Sequence, residues 1–457
     1  MTATAEAPTE PADDDATSSF LDRPLTSLHL LLASTGLLLG LGLVMVLSAS
    51  MVKSYRDTGS AYSVFAGQAV WVALAVPAFW FGVRLTPRAY RRLAYPALLV
   101  SLLLLAAVLV VGPNINGAQR WLDFGPIQMQ PAELAKLALA LWGADLLVRK
   151  KRLLGHARHL VMPLVPVAAL MAALVVLEPD LGTSMCFAMV LFGLLWTVGA
   201  PGRIFGAVLG LAGVVVAGLA VMEPYRFARV THFLDPSADP TGVGFQPLLG
   251  LSSLSSGGWF GVGLGQGRAK WLNLPEAHTD YIFAVIGEEL GLLGSMVVLL
   301  LYATLAYAGL RVARRTADPF ARLVAAAVTV WIVGQAVLNI GYVSGLLPVT
   351  GVPLPLISAG GTSLLVTVFA LGMLTSFARH EPDAVAQLAQ RGRLARLLGL
   401  PAPRLPRERA RRRPPVRAAG LDRTGDRGGR RPSGSPSRAA GSARPRPTSP
   451  RPEARRR

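Results

Sequence analysis

Apolar residues occur along this chain in long blocks that short polar segments separate. A bilayer core about 30 Å thick needs roughly 20 apolar residues per helix, and the block at 28–47 already has that length. Barrel strands are shorter, at about ten residues, and alternate in polarity, which these blocks do not. The pattern predicts an all-α integral membrane protein with about ten transmembrane helices. The predicted helices are residues 28–49, 63–83, 94–112, 131–148, 160–178, 182–199, 204–222, 281–309, 320–343 and 362–378.

Basic residues gather on every second connection between the predicted helices, at 84–92, 149–152, 203, 311–315 and after 378. Short basic loops stay in the cytoplasm, so this pattern predicts that both termini are cytoplasmic. Two of the remaining, outward loops are long, at residues 113–130 and 223–280. We therefore expect the functional site at the outer face.

Composition agrees with a membrane protein, since 52% of the residues are hydrophobic and 16% are charged. The formal net charge of +19 is concentrated in residues 380–457, which hold 21 arginines and 6 acidic residues. We predict a disordered acidic cytoplasmic arm at 1–26, a transmembrane domain at 27–380 and a disordered Arg/Pro-rich cytoplasmic tail at 381–457. Because no aromatic residue lies among the tail arginines to stack on bases, we expect attraction to anionic lipids and no nucleic-acid partner.

The large outer loop ends at Asp280, directly before the apolar residues 281–284. An apolar wall beside this carboxylate suits a general base, whereas the alternative is that Asp280 caps the helix that follows. Glu288 and Glu289 come about two helical turns further on, at 1.5 Å per residue. Such close like charges predict a cation partner or a shared proton, in a polar cavity that runs inward from Asp280.

A glycine-rich segment, residues 257–267, precedes Arg268 and Lys270 in the same loop. Glycine lets backbone amides approach a ligand closely, and neighbouring cations can neutralise a phosphate. A flexible loop explains the segment equally well. It is not a dinucleotide or Walker loop, because no strand–loop–helix unit surrounds it.

Other ionisable residues lie at the predicted helix ends. Glu133 and Lys136 are three apart near the outer end of one helix, so they can pair and point inward, with a functional or a purely structural role. Glu178 and Asp180 flank Pro179 in a sharp outer turn, where they can bind a divalent metal or cap the next helix.

Polar groups also interrupt the last two predicted helices. Gln335 and Asn339 share one helix face, which favours bonds to neighbouring helices. The 348–361 segment then breaks the helical pattern with three prolines and three glycines at membrane depth. Irregular backbone there is tolerated only against protein or a water-filled cavity, so we expect a cavity beside it.

Several of these motifs together resemble the SEDS family of shape, elongation, division and sporulation proteins. The resemblance covers residues 28–380, and within the family the sequence is most similar to the actinobacterial division members. Many relatives have Tyr where Ala359 stands and Ser where Thr362 stands. The motifs that carry it are residues 275–280 (Pro-Glu-Ala-His-Thr-Asp), 287–291 (Gly-Glu-Glu-Leu-Gly), 117–121 (Gly-Ala-Gln-Arg-Trp), 131–136 (Pro-Ala-Glu-Leu-Ala-Lys) and 356–363 (Leu-Ile-Ser-Ala-Gly-Gly-Thr-Ser).

The resemblance implies a SEDS-type helical bundle in the plasma membrane that polymerises lipid II into septal glycan strands and releases undecaprenyl pyrophosphate. It implies that Asp280 is the catalytic base and that a divalent cation, Mg²⁺ or Mn²⁺, takes part without an organic cofactor. It also implies a class B penicillin-binding protein and other division proteins as partners. Candidate substrate and pyrophosphate contacts are Arg120, Glu133, Lys136, Arg226, Arg229, Lys270, His278, Ser358, Gly360 and Gly361. Candidate supporting residues around the cavity are Asp180, Glu288, Glu289, Gln335 and Asn339.

Three alternatives stay open: a lipid II flippase, a rod-elongation polymerase, and a division scaffold whose termini are docking arms. A flippase needs polar groups through both halves of the membrane, whereas the intramembrane ionisable residues here lie mainly toward the outer half. Asp145 is the main exception, near the cytoplasmic edge, where we expect it to pair with Arg149.

Overall fold

The computed structural model describes residues 23–390, apart from 116, 126–127, 154–155, 209, 211–212, 214–217, 219–243, 269 and 272–273. Most of the predicted acidic arm and of the Arg-rich tail lie outside the described residues, and so do Arg226 and Arg229. Most of the predicted helix at 204–222 lies outside them as well. The predictions made for these parts of the chain stay predictions.

Helices dominate the described residues, in agreement with the predicted all-α membrane protein. Eight described helical segments are long and apolar enough to cross a membrane. A ninth helix, α4, has the length but also carries Glu133, Lys136, Asp145 and Arg149. In chain order the helices are α1 (Thr26–Thr58), α2 (Ser63–Arg84), α3 (Pro87–Val111), α4 (Pro131–Arg149), α5 (Ala157–Val161), α6 (Leu164–Leu177), α7 (Leu181–Val198), α8 (Phe245–Ser256), α9 (Ile282–Arg315), α10 (Pro319–Val343), α11 (Thr362–Arg379) and α12 (Pro382–Gln390).

Local sequence signals set many of these helix ends. Proline occupies the first turn of α3, α4 and α10, where its missing N–H costs nothing. Asp180 caps α7 through a 3.0 Å bond that its carboxylate accepts from the amide of Thr183. At the other end of α7, Gly199 adopts the left-handed conformation that favours glycine.

Helices α10 and α11 form the centre of the bundle. Their most apolar stretches are 67% and 78% buried, against 11% for α2. Small residues bring the helices close together, as in other membrane bundles. A Cβ on Gly193 of α7 would lie 2.8 Å from the Cα of Ala327 in α10, and one on Gly82 of α2 would lie 2.8 Å from the carbonyl of Phe369 in α11. The outer helices therefore leave much of their apolar surface to lipid.

Four features differ from the sequence-based expectation or add to it. Helix α8 lies within the predicted outer loop, and α12 begins at Pro382, where disorder was predicted. A two-stranded antiparallel hairpin, β1 (Leu122–Asp123) and β2 (Gln128–Met129), shapes the 113–130 loop. Helix α9 is interrupted at Gly291, whose φ of 70° is non-helical. The last feature matters for the site, because Asp280 precedes this helix.

Candidate active site

The 348–361 segment joins α10 to α11 without a helix, as predicted, and α10 holds its backbone. The side-chain amide of Gln335 donates to the carbonyl of Pro353 at 3.0 Å, and that of Asn339 donates to the carbonyl of Val352 at 2.8 Å. Gln335 and Asn339 thus bind an irregular segment, and Gln335 also makes the expected bonds to neighbouring helices, accepting from Lys136 of α4 and Cys186 of α7. The bonds to the irregular segment satisfy polar backbone groups at membrane depth, which is the condition for irregular structure there.

The end of the large outer loop docks onto the same two elements. The carbonyl of Asp280 accepts bonds of 2.9 Å from the Asn339 amide and from the Tyr342 hydroxyl. The Ser358 hydroxyl donates to the carbonyl of Thr279 at 2.5 Å, and the amide of Ala359 donates to the carbonyl of His278 at 2.9 Å. The backbone at 278–280 is therefore fixed residue by residue by α10 and the 348–361 segment.

Asp280 lies half-buried at the outer start of α9. The helix begins at Ile282, and Tyr281 occupies its N-cap position. Asp280 therefore lies one residue before the N-cap and does not have the capping position that the alternative interpretation gave it. Its Oδ2 atom is 3.5 Å from the place that a Cβ on Gly351 would occupy. The carboxylate thus faces a residue without a side chain, which leaves room beside it.

His278 and the residues just before α11 lie next to the backbone of Asp280. Burial lowers the pKa of His278, Lys53 lowers it further, and Glu276 opposes both, so the imidazole is neutral at pH 7. Gly360 donates its amide to the side chain of Gln68 at 3.1 Å. A Cβ on Gly361 would lie 2.5 Å from the ring of Trp71, so this glycine allows α2 to pack against the segment.

Lys53 is a cation of this region that the sequence-based prediction missed. It is exposed near the outer end of α1, close enough for its charge to act on His278. A signal was available, because a lysine at the outward end of a helix departs from the positive-inside pattern.

Glu133 and Lys136 form the predicted inward pair. Lys136 Nζ lies 2.9 Å from Glu133 Oε1 and 3.2 Å from Gln335 Oε1, and 4.8 Å from the ring centre of Trp331. Both charged side chains are almost fully buried, at 1% and 3% exposure. Through Gln335, whose amide donates to the carbonyl of Pro353, this cluster is joined to the 348–361 segment.

Arg120 reaches the turn between α6 and α7. Its Nε donates to the carbonyl of Glu178 at 3.2 Å, and its Nη2 donates to the carbonyl of Pro179. The Nε atom also lies 4.0 Å from Oδ2 of Asp180. Burial raises the pKa of the Glu178 carboxyl to about 8; Asp180 adds to the rise, whereas Arg120 opposes it. Of the two sequence-based alternatives for Asp180, helix capping is the one that the structure bears out.

Asp180 also connects this turn to the start of α11. The side-chain amide of Gln130 donates to Asp180 at 3.3 Å, and the backbone amide of Gln130 donates to the Thr362 hydroxyl at 3.2 Å. The 113–130 loop, the turn between α6 and α7, and the N-terminal end of α11 therefore converge on one side of the bundle.

Glu288 and Glu289 have the cation partner that their proximity predicted, and it is Lys270. Lys270 Nζ is 3.0 Å from Glu289 Oε1, and its side chain is 1% exposed. The carboxylate of Glu289 also accepts from Ser48 at 2.7 Å and from the amide of Gly265 at 3.1 Å, while Glu288 accepts from the amide of Arg268 at 2.6 Å. These carboxylates bind the glycine-rich segment, so Lys270 and these amides are used internally, where a phosphate contact was expected.

A metal site is not apparent in the described part of the chain. Its residues contain no group of three or more His, Cys, Asp or Glu side chains that could hold a metal ion. The divalent cation that the resemblance implied stays a prediction.

The bundle and its polar outer end define a polytopic helical membrane protein with a candidate site where the end of the large outer loop binds the 348–361 segment. The model of the cell cycle protein family FtsW/RodA/SpoVE matches residues 28–383. The chain belongs to this family, which confirms the SEDS resemblance.

Named relatives agree with this assignment. A protein of Mycobacterium tuberculosis named "Probable peptidoglycan glycosyltransferase FtsW" is 46% identical over 84% of this chain and 74% of its own length. A protein of Pseudoalteromonas translucida with the same name is 41% identical over 74% of this chain and 86% of its own. The similarity to an actinobacterial member is the greater of the two, as predicted.

Solved structures share the fold. One similar chain comes from a structure described as "Structural coordination of polymerization and crosslinking by a peptidoglycan synthase complex". It is 31% identical to this chain, and the two match with a TM-score of 0.65 over 76% of this chain and 96% of the other. The rod shape determining protein RodA of Thermus thermophilus is 30% identical, with a TM-score of 0.57 over 77% of this chain and 96% of its own.

Proposed function

We propose that this protein is a peptidoglycan glycosyltransferase that polymerises lipid II at the outer face of the plasma membrane. The observation that carries the proposal is the fixed backbone around Asp280. Four separate donors hold the carbonyls of residues 278–280, and the carboxylate itself faces the open side of Gly351. Such a prepositioned carboxylate at the outer membrane face suits a reaction between two lipid-linked sugars.

In this reaction Asp280 accepts the proton of the acceptor sugar hydroxyl while that oxygen attacks the anomeric carbon of the donor. A new glycosidic C–O bond forms, and the bond from the anomeric carbon to the phosphate oxygen breaks. Its electron pair leaves with undecaprenyl pyrophosphate. His278 is a neutral group beside the base and can donate or accept a hydrogen bond.

Cationic side chains stabilise the charge that develops on the pyrophosphate. Arg120 and Lys53 serve this purpose, because each lies at the outer end of the bundle and is partly or fully exposed. Arg226 and Arg229 remain candidates outside the described residues. Lys136 and Lys270 stabilise the fold and do not contact the pyrophosphate, since each is buried in an ion pair.

The division branch of the family is the favoured setting, because the named FtsW relatives are 46% and 41% identical, whereas RodA is 30% identical. We infer a septal location, cytoplasmic termini and other division proteins as partners on this basis. A class B penicillin-binding protein is the expected crosslinking partner, because a similar chain was solved in a complex that couples polymerization to crosslinking.

Substitution of the base tests the proposal. We expect Asp280→Asn to bind lipid II but to lose polymerisation by about 100-fold or more, the range of a general base. The assay incubates each purified protein, with its penicillin-binding partner, with lipid II and separates glycan products by length. Asp57→Asn, an exposed carboxylate in α1, is the matched control and keeps full activity. Wild-type turnover by Asp280→Asn would exclude Asp280 as the base.

A further inference from the structure

The glycine-rich segment presents a row of large apolar side chains away from the protein. Trp259 is 68% exposed and Phe260 is 80% exposed, and Val262 and Leu264 are exposed as well. Residues 257–267 contain no ionisable side chain, and the exposed Arg268 follows directly. An apolar surface of this kind needs a covering partner.

Several backbone groups of this segment bond to the interrupted part of α9. The amides of Val262 and Gly263 donate to the carbonyls of Glu288 and Glu289 at 2.9 and 3.1 Å. The amides of Leu292 and Leu293, just past the break at Gly291, donate to the carbonyls of Gly258 and Trp259 at 2.9 and 3.2 Å. Non-helical backbone can enter a membrane only when its polar groups are satisfied in this way.

The exposed side chains continue a lipid-facing strip on α9. This strip includes Leu292, Leu293, Met296, Val297 and Leu300, which are 45 to 65% exposed. From Leu292 to Leu310, just before the basic cluster at the helix end, the helix rises about 28 Å at 1.5 Å per residue, close to a hydrocarbon core of about 30 Å. Gly258 and Trp259 are bonded to the outer end of this strip, so Trp259 and the adjacent Phe260 lie at the outer boundary of the hydrocarbon.

We propose that the glycine-rich segment is a membrane anchor whose Trp259, Phe260, Val262 and Leu264 side chains insert among the lipid chains of the outer leaflet. Aromatic residues are enriched at this depth, because their rings favour the boundary between hydrocarbon and headgroups. The anchor fixes the height of the α9 break relative to the membrane, and with it the depth of the outer part of α9. This inference does not depend on the proposed reaction.

Site-directed spin labelling tests the insertion. Cys186 is buried and is the single cysteine of the chain, so a Cys186→Ala background accepts one label at a time. Labels replace Phe260 or Val262, with Met296→Cys as the lipid-facing control and Ser60→Cys as the aqueous control. The protein is reconstituted in phosphatidylethanolamine–phosphatidylglycerol vesicles, and collisions with oxygen and with a water-soluble nickel chelate are measured.

We expect the oxygen-to-nickel collision ratio at positions 260 and 262 to exceed that at 60 severalfold and to lie between the ratios at 60 and at the deeper position 296. Nickel access equal to that at position 60 would overturn the proposal and make the segment an aqueous loop. Low access to both reagents would also overturn it, because the side chains would then be covered by protein. Two labelled positions guard against one substitution that disturbs the fold.

Discussion

Asn339 has a larger part in the site than its sequence position suggested. One side-chain amide donates to carbonyls of two separate segments, at Asp280 and Val352, and Tyr342 donates to the same two carbonyls. Its helix face was predictable from spacing. Its partners were not, because they are backbone carbonyls of segments 59 and 13 residues away in sequence, brought together only by packing.

We expect Asn339→Leu to lower kcat for glycan polymerisation by about 10- to 100-fold, because small displacements of a positioned catalytic group have effects of this size. KM for lipid II should change little, since Asn339 is buried and holds Asp280 through its backbone. The check is steady-state kinetics on purified variants.

Tyr342→Phe removes one of the two donors to Asp280 and should give a smaller loss. Val337→Ala on the exposed face of the same helix is the matched control. Equal kcat in wild type and Asn339→Leu would show that the Asp280 backbone does not need this support.

At the scale of elements, the contact between the glycine-rich segment and α9 requires close approach of two backbones. A Cβ on Gly257 would lie 1.9 Å from the carbonyl oxygen of Gly287, and one on Gly261 would lie 2.2 Å from that of Glu289. Gly261 also has a φ of 79°, which favours glycine. The glycines are therefore needed for packing, and the phosphate-binding explanation for them is unnecessary.

Gly257→Ala should lower the stability of the protein by about 1–3 kcal/mol, the cost of forcing added volume into a packed site. The clash is with backbone, so no flexible side chain can move away to relieve it. Apparent melting temperature in detergent is the measurement. Gly36→Ala in α1, where an added Cβ meets nothing within 4 Å, is the control and should melt at or above the wild-type temperature. An unchanged melting temperature for Gly257→Ala would mean that the segment can move away from α9.

Several of the long helices were predicted closely, whereas α1 ends at Thr58 instead of 49, α3 begins at Pro87 instead of 94, and the short helices and the interruption of α9 were missed. The predicted ends of α4, α7, α10 and α11 agree with the structure to within a residue, because prolines, caps and long apolar blocks mark them. Helix α8 has 12 residues and lies in a polar loop, so its weak pattern gave no signal. The break at Gly291 was missed because an isolated glycine is also tolerated inside a helix.

At the scale of the whole molecule, Glu178 couples protein stability to pH. Its carboxyl is fully buried, neither oxygen has a hydrogen-bond partner among the described residues, and its pKa is raised to about 8. Its pKa in the unfolded chain is the ordinary 4.5, so the unfolded state releases this proton first. The stabilising contribution is complete below pH 4.5 and is lost as pH rises toward 8.

We therefore expect the apparent melting temperature of the wild type to fall between pH 5 and pH 8 more steeply than that of Glu178→Gln, which stays neutral. The comparison uses thermal unfolding in detergent across this range. Asp57→Asn, which replaces an exposed carboxylate, should keep the wild-type slope. Parallel curves for wild type and Glu178→Gln would mean that Glu178 ionises in the folded protein as it does in the unfolded chain.

The bonds that fix the candidate site end mostly on backbone carbonyls, at residues 278, 279, 280, 352 and 353. A carbonyl is present whatever the side chain, so the accepting positions place little demand on residue identity. The demand falls on a few donors, Gln335, Asn339, Tyr342 and Ser358. Homologous sequences can therefore vary in size or polarity at accepting positions 279, 352 and 353, where the side chain has no assigned role, while the geometry around the carboxylate is kept.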